Sequence, residues 1–307
     1  MLVLFSVLLG DIIQVPLQPV YTRTRIAPTP SGFLHLGNIF SFAVTAELAR
    51  KHGAKILLRI DDLDQSRVNK AYVQDIFDTL NFLQIPWDEG PRNADYFGLN
   101  YSQTHRLDKY EQALGKLGDG KNVFACTCSR QQINNGMVCT CYEKHIPLGT
   151  QNASWRLYTG NDAEVSIKTY DGGIIKAVLP VEMENFVVRK KDGFPAYQLT
   201  SLIDDIFYEV DLIVRGQDLW PSTLAQMLLA NVVGEGNIFG SATFYHHPLI
   251  METAYKKLSK SAGVTSIKYL RENDKNPAAI FTLIAGMAGI EQPVNNWEQL
   301  AAAIINS

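Results

Sequence analysis

The chain has 307 residues, 46% of them hydrophobic and 19% charged, with a formal net charge of −3. That length admits one large domain or two ordinary ones, with enough apolar material for a substantial core. The charge balance excludes a globally basic protein that coats nucleic acid, so any nucleic-acid partner has to be met by local patches.

The segment Met1 to Leu9 is a short apolar run, but no Lys or Arg precedes Arg23. A secretory signal needs a positively charged start, and a membrane span needs about twenty apolar residues. Asp11, Gln14, Pro16, Gln18 and Pro19 end the run too early for either. Residues 1–20 read as an N-terminal extension or an over-long start, with an appendage packing on the body or a partner as the alternative. No other stretch could span a bilayer, so a cytoplasmic protein is expected.

From Tyr21, "YTRTRIA" reads as a strand, and Ile39 to Lys51 as a helix stopped by Gly53. "AKILLRI" (Ala54 to Ile60) is nearly continuous in apolar residues, as expected of a strand buried on both faces. Strand, helix, strand is a βαβ unit, the building block of parallel sheets. A second helix is predicted at Ala71 to Leu83, with Tyr72, Ile76, Leu80 and Leu83 on one face, and a third at His105 to Leu117. Then "SWRLYTG", "EVSIKTYDGGIIKAVLP" and "NFVVRKKDGFPAYQLT" alternate between Gly-rich turns, which suggests antiparallel strands. A buried strand, "VDLIVRG", follows, and from Met251 the chain reads as mainly helical. The predicted fold is α/β: a Rossmann-type doubly wound parallel sheet with an inserted, partly β subdomain and a short helical C-terminal part. The divisions are 1–20, 21–119, an insertion at 120–195, 196–250 and 251–307.

Two stretches carry the chemistry. "RIAPTPSGFLHLGN" runs a strand through two prolines and a glycine into a helix start. A helix N-terminus offers unpaired N–H groups and partial positive charge, which suits a phosphate or nucleotide. Gly37 leaves room for a flat base, and His35 can bond phosphate oxygens. Alone, the same residues would also suit a plain loop with a half-buried histidine. "YKKLSKSAG" alternates Lys256, Lys257 and Lys260 with Ser259 and Ser261, flexible point charges suited to phosphates or, more blandly, to a solvated loop. All four cysteines fall between Cys126 and Cys141, as Cys-x-Cys, ten residues, Cys-x-Cys. Four soft ligands so spaced suit a tetrahedral structural Zn²⁺ rather than a secreted disulfide framework.

Together, "HLGN" and "KLSKS" resemble the HIGH and KMSKS signatures of the class I aminoacyl-tRNA synthetases. "RIAPTPSGFLHLGN", "RIDDLD", "CTCSR", "AYQLTSLIDD" and "VRGQDL" resemble the blocks of the glutamyl subgroup, in that subgroup's order, over about residues 21 to 265. The resemblance implies attack of the glutamate carboxylate on the α-phosphorus of ATP, with Mg²⁺ on the ATP phosphates. It implies catalytic roles for His35, Gly37, Lys257 and Lys260, and ATP contacts from Pro30, His35, Gly37, Asn38, Lys257, Ser259 and Lys260. It places Arg25, Ala27, Pro28, Thr29, Asp61, Tyr197 and Arg215 around glutamate. Arg215 is the expected specificity residue, because a guanidinium suits a carboxylate and opposes an amide NH₂. The subgroup usually has Glu at the position of Asp61, and its glutaminyl relatives have Asp; Arg215 outweighs that departure. The subgroup often carries zinc in this insertion, so Cys126, Cys128, Cys139 and Cys141 are the expected ligands. A Tyr can replace one thiolate there, which leaves Tyr142 as a substitute for Cys139.

Residues beyond Ser261 leave little room for the large helical anticodon-binding portion of full-length relatives. The expectation is therefore the subgroup's shortened branch, a monomer that activates glutamate without tRNA and esterifies it to queuosine in the anticodon stem-loop of tRNA(Asp). The alternatives are a truncated glutamyl- or glutaminyl-tRNA synthetase charging the 3′ end with a partner's help, and a non-catalytic binding protein.

Overall fold

The computed structural model describes residues 20–160, 162–253, 256–257, 266–273 and 275–305, with backbone alone for 134, 251–253 and 256–257. Strand β1 (Arg23–Ile26) leads through the proline loop into α1 (Leu36–His52) and returns as β2 (Lys55–Leu58), parallel to β1 with Arg23 opposite Lys55. Helix α1 starts three residues earlier than the apolar pattern suggests because His35 caps it. The His35 side chain accepts from Gly37 N–H while Asn38 Oδ1 accepts from His35 N–H, a reciprocal cap that satisfies otherwise orphaned donors. Its last turn carries Arg50, Lys51 and His52, which suit the negative end of the helix dipole, and Gly53 closes it at φ 68°. Beyond β2, Gly90 (φ 96°) lets the chain run along the strand; a Cβ there would sit 2.3 Å from Leu58 O.

Helices α2 (Lys70–Phe82), α3 (Ala94–Asn100) and α4 (Leu107–Asp119) follow, and then β3 (Val123–Cys126) and the short α5 (Arg130–Asn134). β4 (Ser154–Leu157) pairs antiparallel with β3 and with β7 (Val187–Arg189), while β5 (Glu164–Lys168) and β6 (Ile174–Val178) form a hairpin. The stretch predicted to alternate up to Thr200 is strand only to Arg189. It turns at Gly193 and enters α6 (Tyr197–Phe207).

β8 (Leu212–Gly216) and β9 (Thr243–His247) pair in parallel around α7 (Trp220–Val232) and α8 (Gly236–Ser241). Asp211 N–H donates to Arg23 O (3.1 Å), and Arg25 reaches Val214 O (3.0 Å), so β1 and β8 lie side by side in the same sense. The two parallel pairs, β1–β2 and β8–β9, thus adjoin through β1 and β8. The chain from Met251 is not wholly helical: β10 (Met251–Thr253) and β11 (Lys256–Lys257) pair antiparallel before α9 (Ile267–Glu272), α10 (Pro277–Met287) and α11 (Trp297–Ile305).

Alternation along β8 divides the core. Leu212 and Val214 face α1, α10 and α11, whereas Ile213 faces α6 and α7. Val165, Ile167, Leu179 and Val188, from the expected insertion, share the second core with Leu199, Leu224 and Phe244. Only Phe124, Cys126 and Cys141 form a separate small cluster, at the tip. No helix among the described residues is long and apolar enough to cross a membrane.

Candidate active site

A cleft of about 500 Å³ opens beyond the carboxyl ends of all four parallel strands. Ala27, Pro28 and Thr29 follow β1, Arg59 and Asp61 follow β2, Arg215 and Gly216 end β8, and Leu249 and Ile250 follow β9. This is the crevice that an open α/β sheet creates where its winding reverses, here between β1 and β8.

The cleft's charged wall is built around Asp205, 1% exposed on α6. Its Oδ1 accepts from Arg25 Nε (2.9 Å) and Arg59 Nη1 (2.6 Å), and its Oδ2 lies 3.7 Å from Arg215 Nη2. Arg59 also donates to both oxygens of Asp61 (2.8 and 3.2 Å) and to Ser201 Oγ (3.4 Å). Burial pushes the Asp205 carboxyl upward, but Arg25, Arg59 and Arg215 outweigh it and hold the group below the usual carboxylate range. Burial lifts Asp61, against the pull of Arg59. Burial likewise disfavours the Arg59 charge, and Asp61, Asp205 and Asp204 more than offset that.

Arg215 differs from the other two arginines. It is 3% exposed; its Nη1 donates to Gln226 Oε1 (2.9 Å) and Thr223 Oγ1 (3.3 Å), yet Nε and Nη2 have no hydrogen-bond partner. Burial, then the neighbouring Arg25 charge, pull its pKa down to about 10, so it remains a cation at neutral pH. Three guanidiniums against two carboxylates leave this wall one positive charge in excess, with two N–H groups unsatisfied. A ligand carboxylate meets both needs.

At the opposite edge stands the start of α1. His35 Nδ1 accepts from Gly37 N–H (3.1 Å), so the ring proton sits on Nε2. A Cβ at Gly37 would come within 3.0 Å of His35 Cε1 and 3.1 Å of Nδ1, so Gly37 also makes room for the imidazole. Ser266 pairs with His35, and Ile267 N–H donates to Leu34 O (2.8 Å). The chain that leaves the cleft at Ile250 therefore comes back to it at His35, flanking the KLSKS stretch.

Arg25, Ala27, Pro28, Thr29, His35, Gly37, Asn38, Asp61, Tyr197 and Arg215 all line the cleft. Pro30 is buried and does not line it, and the Asn38 amide oxygen is engaged in the helix cap. Lys257 has its backbone in β11, while its side chain, Ser259 and Lys260 lie outside the described residues. Arg59, Ser201, Asp205 and His247 were missed. Arg59 and Asp205 stand inside the quoted blocks "RIDDLD" and "SLIDD", and the signal was that buried acids and bases on neighbouring elements must pair. In "YSQTHRLDKY", Ser102 donates to Asp62 (2.6 Å), and Arg106 (2.8 Å) and Tyr110 (2.6 Å) donate to Asp204. These residues brace the wall behind the cleft.

The four thiols converge at the tip of the β3–β4 sheet. Their sulfurs lie within 4.8 Å of one another, at 3.6 Å for Cys126–Cys139, 3.8 Å for Cys128–Cys139 and 3.5 Å for Cys128–Cys141. Tetrahedral Zn²⁺ with Zn–S bonds of about 2.3 Å sets its sulfurs about 3.8 Å apart, so the cluster fits that ion. Cys139 takes the position for which Tyr142 was the alternative; the Tyr142 ring stacks on Tyr158 at 4.1 Å instead.

A second cavity of about 880 Å³ shares Thr29, Asp61 and Tyr197 with the cleft and runs to Cys128 and Arg130 at the four-cysteine tip. Arg67, Arg130, Arg156, Lys190 and Lys191 line it, against Asp61, Asp64 and Glu182.

The family model for tRNA synthetases class I (E and Q), catalytic domain, matches residues 21–144 and 150–298. The chain belongs to this family. It is similar to Glutamyl-Q tRNA(Asp) synthetase of Methylococcus capsulatus, 33% identical over 88% of this chain and 85% of that protein. It is also similar to Glutamate–tRNA ligase 2 of Syntrophus aciditrophicus, 31% identical over 86% of this chain and 56% of that protein. Against Glutamate–tRNA ligase 1 of Thermoanaerobacter sp. the values are 30%, 86% and 57%, so the chain spans little more than half of these two ligases. The crystal structure of a glutamate-tRNA synthetase from Elizabethkingia anophelis shares the fold, with a TM-score of 0.70 at 21% identity, covering 92% of this chain and 65% of that one.

Proposed function

We propose that this protein activates glutamate with ATP and transfers it to queuosine in the anticodon loop of tRNA(Asp). One observation carries the activation step: the buried, cationic Arg215 presents two unsatisfied N–H groups to a cleft that a helix N-terminus also faces. The side-chain carboxylate of glutamate binds Arg215, and Arg25, Arg59 and Asp61 orient its other end. An α-carboxylate oxygen attacks the α-phosphorus of ATP, the bond to the β-phosphate oxygen breaks, and pyrophosphate leaves with its electron pair. Little covalent help is required; positioning and neutralisation of phosphate charge supply the rate. His35 Nε2–H acts on the phosphates, and Lys257 and Lys260, with Ser259, bind the departing pyrophosphate. Mg²⁺ bound with ATP would supply further neutralisation of its phosphates. In the second step a hydroxyl of the acceptor attacks the adenylate carbonyl, and AMP leaves.

For the acceptor, the support is the Methylococcus relative that bears that name, at 33% identity over 88% of the chain, together with the basic cavity that joins the cleft. Zn²⁺ held by Cys126, Cys128, Cys139 and Cys141 would tie down the tip beside Arg130, a structural role. A charging enzyme for the tRNA 3′ end is the second reading, favoured by the two ligase relatives. The test is glutamate-dependent ATP–pyrophosphate exchange without tRNA, with glutamine as the control, followed by transfer to tRNA(Asp) with and without queuosine. Exchange with glutamate alone and queuosine-dependent transfer support the proposal. Exchange that needs tRNA, or transfer to the 3′ end, points to the second reading.

A further inference from the structure

We infer that His247 reads the nucleoside of ATP: its Nε2 accepts a hydrogen bond from an N–H or O–H of that nucleoside, the adenine amine or a ribose hydroxyl. The inference rests on the ATP-using reading above and adds a residue and a polarity to it.

The tautomer follows from one contact. His247 Nδ1 lies 2.9 Å from Pro248 O, and a carbonyl can only accept, so Nδ1 carries the proton. In the neutral ring Nε2 then holds a lone pair and acts as an acceptor. The residue is 3% exposed and lines the cleft, and Nε2 is buried without a hydrogen-bond partner. Buried polar groups are nearly always satisfied, and an unsatisfied one in a site wall marks where a ligand supplies the partner. Burial holds the ring below its ordinary pKa, against the opposing effects of the Pro248 carbonyl and Asp218, so the acceptor form persists at neutral pH.

Position selects the ligand. The charged wall of Arg25, Arg59, Asp61 and Arg215 belongs to β1, β2 and β8, whereas His247 ends β9. There Phe40 packs against its ring edge to face, with centroids 5.2 Å apart, and Leu219, Leu249 and Ile250 line that end of the cleft with the Asp218 carboxylate. A Cβ at Gly216 would come within 2.5 Å of Asp218 Oδ1, 3.0 Å of Leu249 and 3.5 Å of His247 Cε1, so glycine keeps this end open beside the imidazole and the carboxylate. Apolar flanks around a neutral acceptor, with one carboxylate beside them, suit a flat heterocycle and the hydroxyls of its sugar. They do not suit the carboxylates of an amino acid, nor a triphosphate.

The experiment measures nucleotide binding to the full chain by calorimetry, so it does not depend on turnover. The probes are ATP, purine riboside triphosphate (no amine), 2′-deoxyATP and 3′-deoxyATP (one hydroxyl fewer each). The parent should bind the analogue that lacks the donor roughly tenfold more weakly than ATP, the cost of one unsatisfied buried acceptor. His247→Phe should bind ATP as weakly as the parent binds that analogue, with discrimination between the two abolished. His247→Gln, whose amide oxygen can stand in for Nε2, should restore discrimination. Loss of preference against purine riboside triphosphate identifies the amine; loss against a deoxy analogue identifies the hydroxyl. Unchanged discrimination in His247→Phe, or a parent that treats all four nucleotides alike, overturns the inference. If the Phe variant does not fold, the parent's imidazole ¹⁵N resonances decide instead: Nε2 must shift on binding ATP and not on binding the discriminated analogue. Absence of glutamate-dependent exchange in the parent would sink the activation reading, a result distinct from all of these.

Discussion

Replacing Arg215 with alanine tests the charged wall most directly. In the free protein its guanidinium is 3% exposed, anchored through Nη1 to Gln226 and Thr223, with Nε and Nη2 making no hydrogen bond and Nη2 3.7 Å from Asp205. Each hydrogen bond to a charged group contributes about 1.5–3 kcal/mol, and truncating one partner of a buried charge pair costs about 2–5 kcal/mol. Two such bonds to the glutamate carboxylate therefore amount to about 3–5 kcal/mol, a loss of affinity of about two to four orders of magnitude. The fold should survive, because Asp205 keeps Arg25 at 2.9 Å and Arg59 at 2.6 Å. Calorimetric titration with glutamate, alongside a thermal melt, reads both quantities. Glutamine binding should fall far less, so the variant loses its preference. If Arg215→Ala bound glutamate within about threefold of the parent while melting normally, Arg215 would not be the carboxylate receptor and the charge count of the wall would be misread.

Gly37→Ala should displace the His35 imidazole, which a Cβ would approach to 3.0 Å, and lower exchange at subsaturating ATP while leaving glutamate affinity intact; an unchanged KM for ATP would contradict this. Cys126→Ser should release zinc and expose the tip to proteolysis between Cys126 and Ser154, with the nucleotide cleft retained; metal analysis and fragment mapping check it. Stability should fall as pH drops below about 6.5. His246 is pulled down to about 3 by burial, then by Arg215 and His247, so the unfolded chain takes up a proton that the folded ring refuses. Stability is thus lost progressively from pH 6.5 towards pH 3, and His246→Gln should lessen that slope in melts across the range. Below about pH 4 the depressed Asp205 carboxyl adds a loss of the same sign, as its unfolded form protonates first.

Local physics made much of this protein legible in its sequence. Apolar continuity identified β2 and β8, Gly53 marked the end of α1, and the cysteine spacing marked a four-thiol site, since each depends on residues near one another along the chain. The boundaries that shifted did so for tertiary or capping reasons: α1 gained a turn from the His35–Asn38 cap, and β7 gave way to α6 after the Gly193 turn. Likewise Val165, Ile167 and Val188 of the expected insertion pack into the core of α6 and α7, because their apolar faces have no other cover.

Sequence by itself determined the residue types: a helix opened by His35 and Gly37, arginines at 25 and 215, acids at 61 and 205, and two cysteine pairs. Only the tertiary structure decided their pairing. Arg25 and Asp205 are 180 positions apart and meet at 2.9 Å because β1 and α6 share one face of the sheet. That pairing settles which cation is neutralised and which, Arg215, keeps N–H groups for a ligand. The same holds for His247, whose tautomer is set by the next residue's carbonyl and which lines the cleft because β9 ends there. Charge balance and hydrogen-bond satisfaction are properties of neighbourhoods in space, and chain order alone does not specify them.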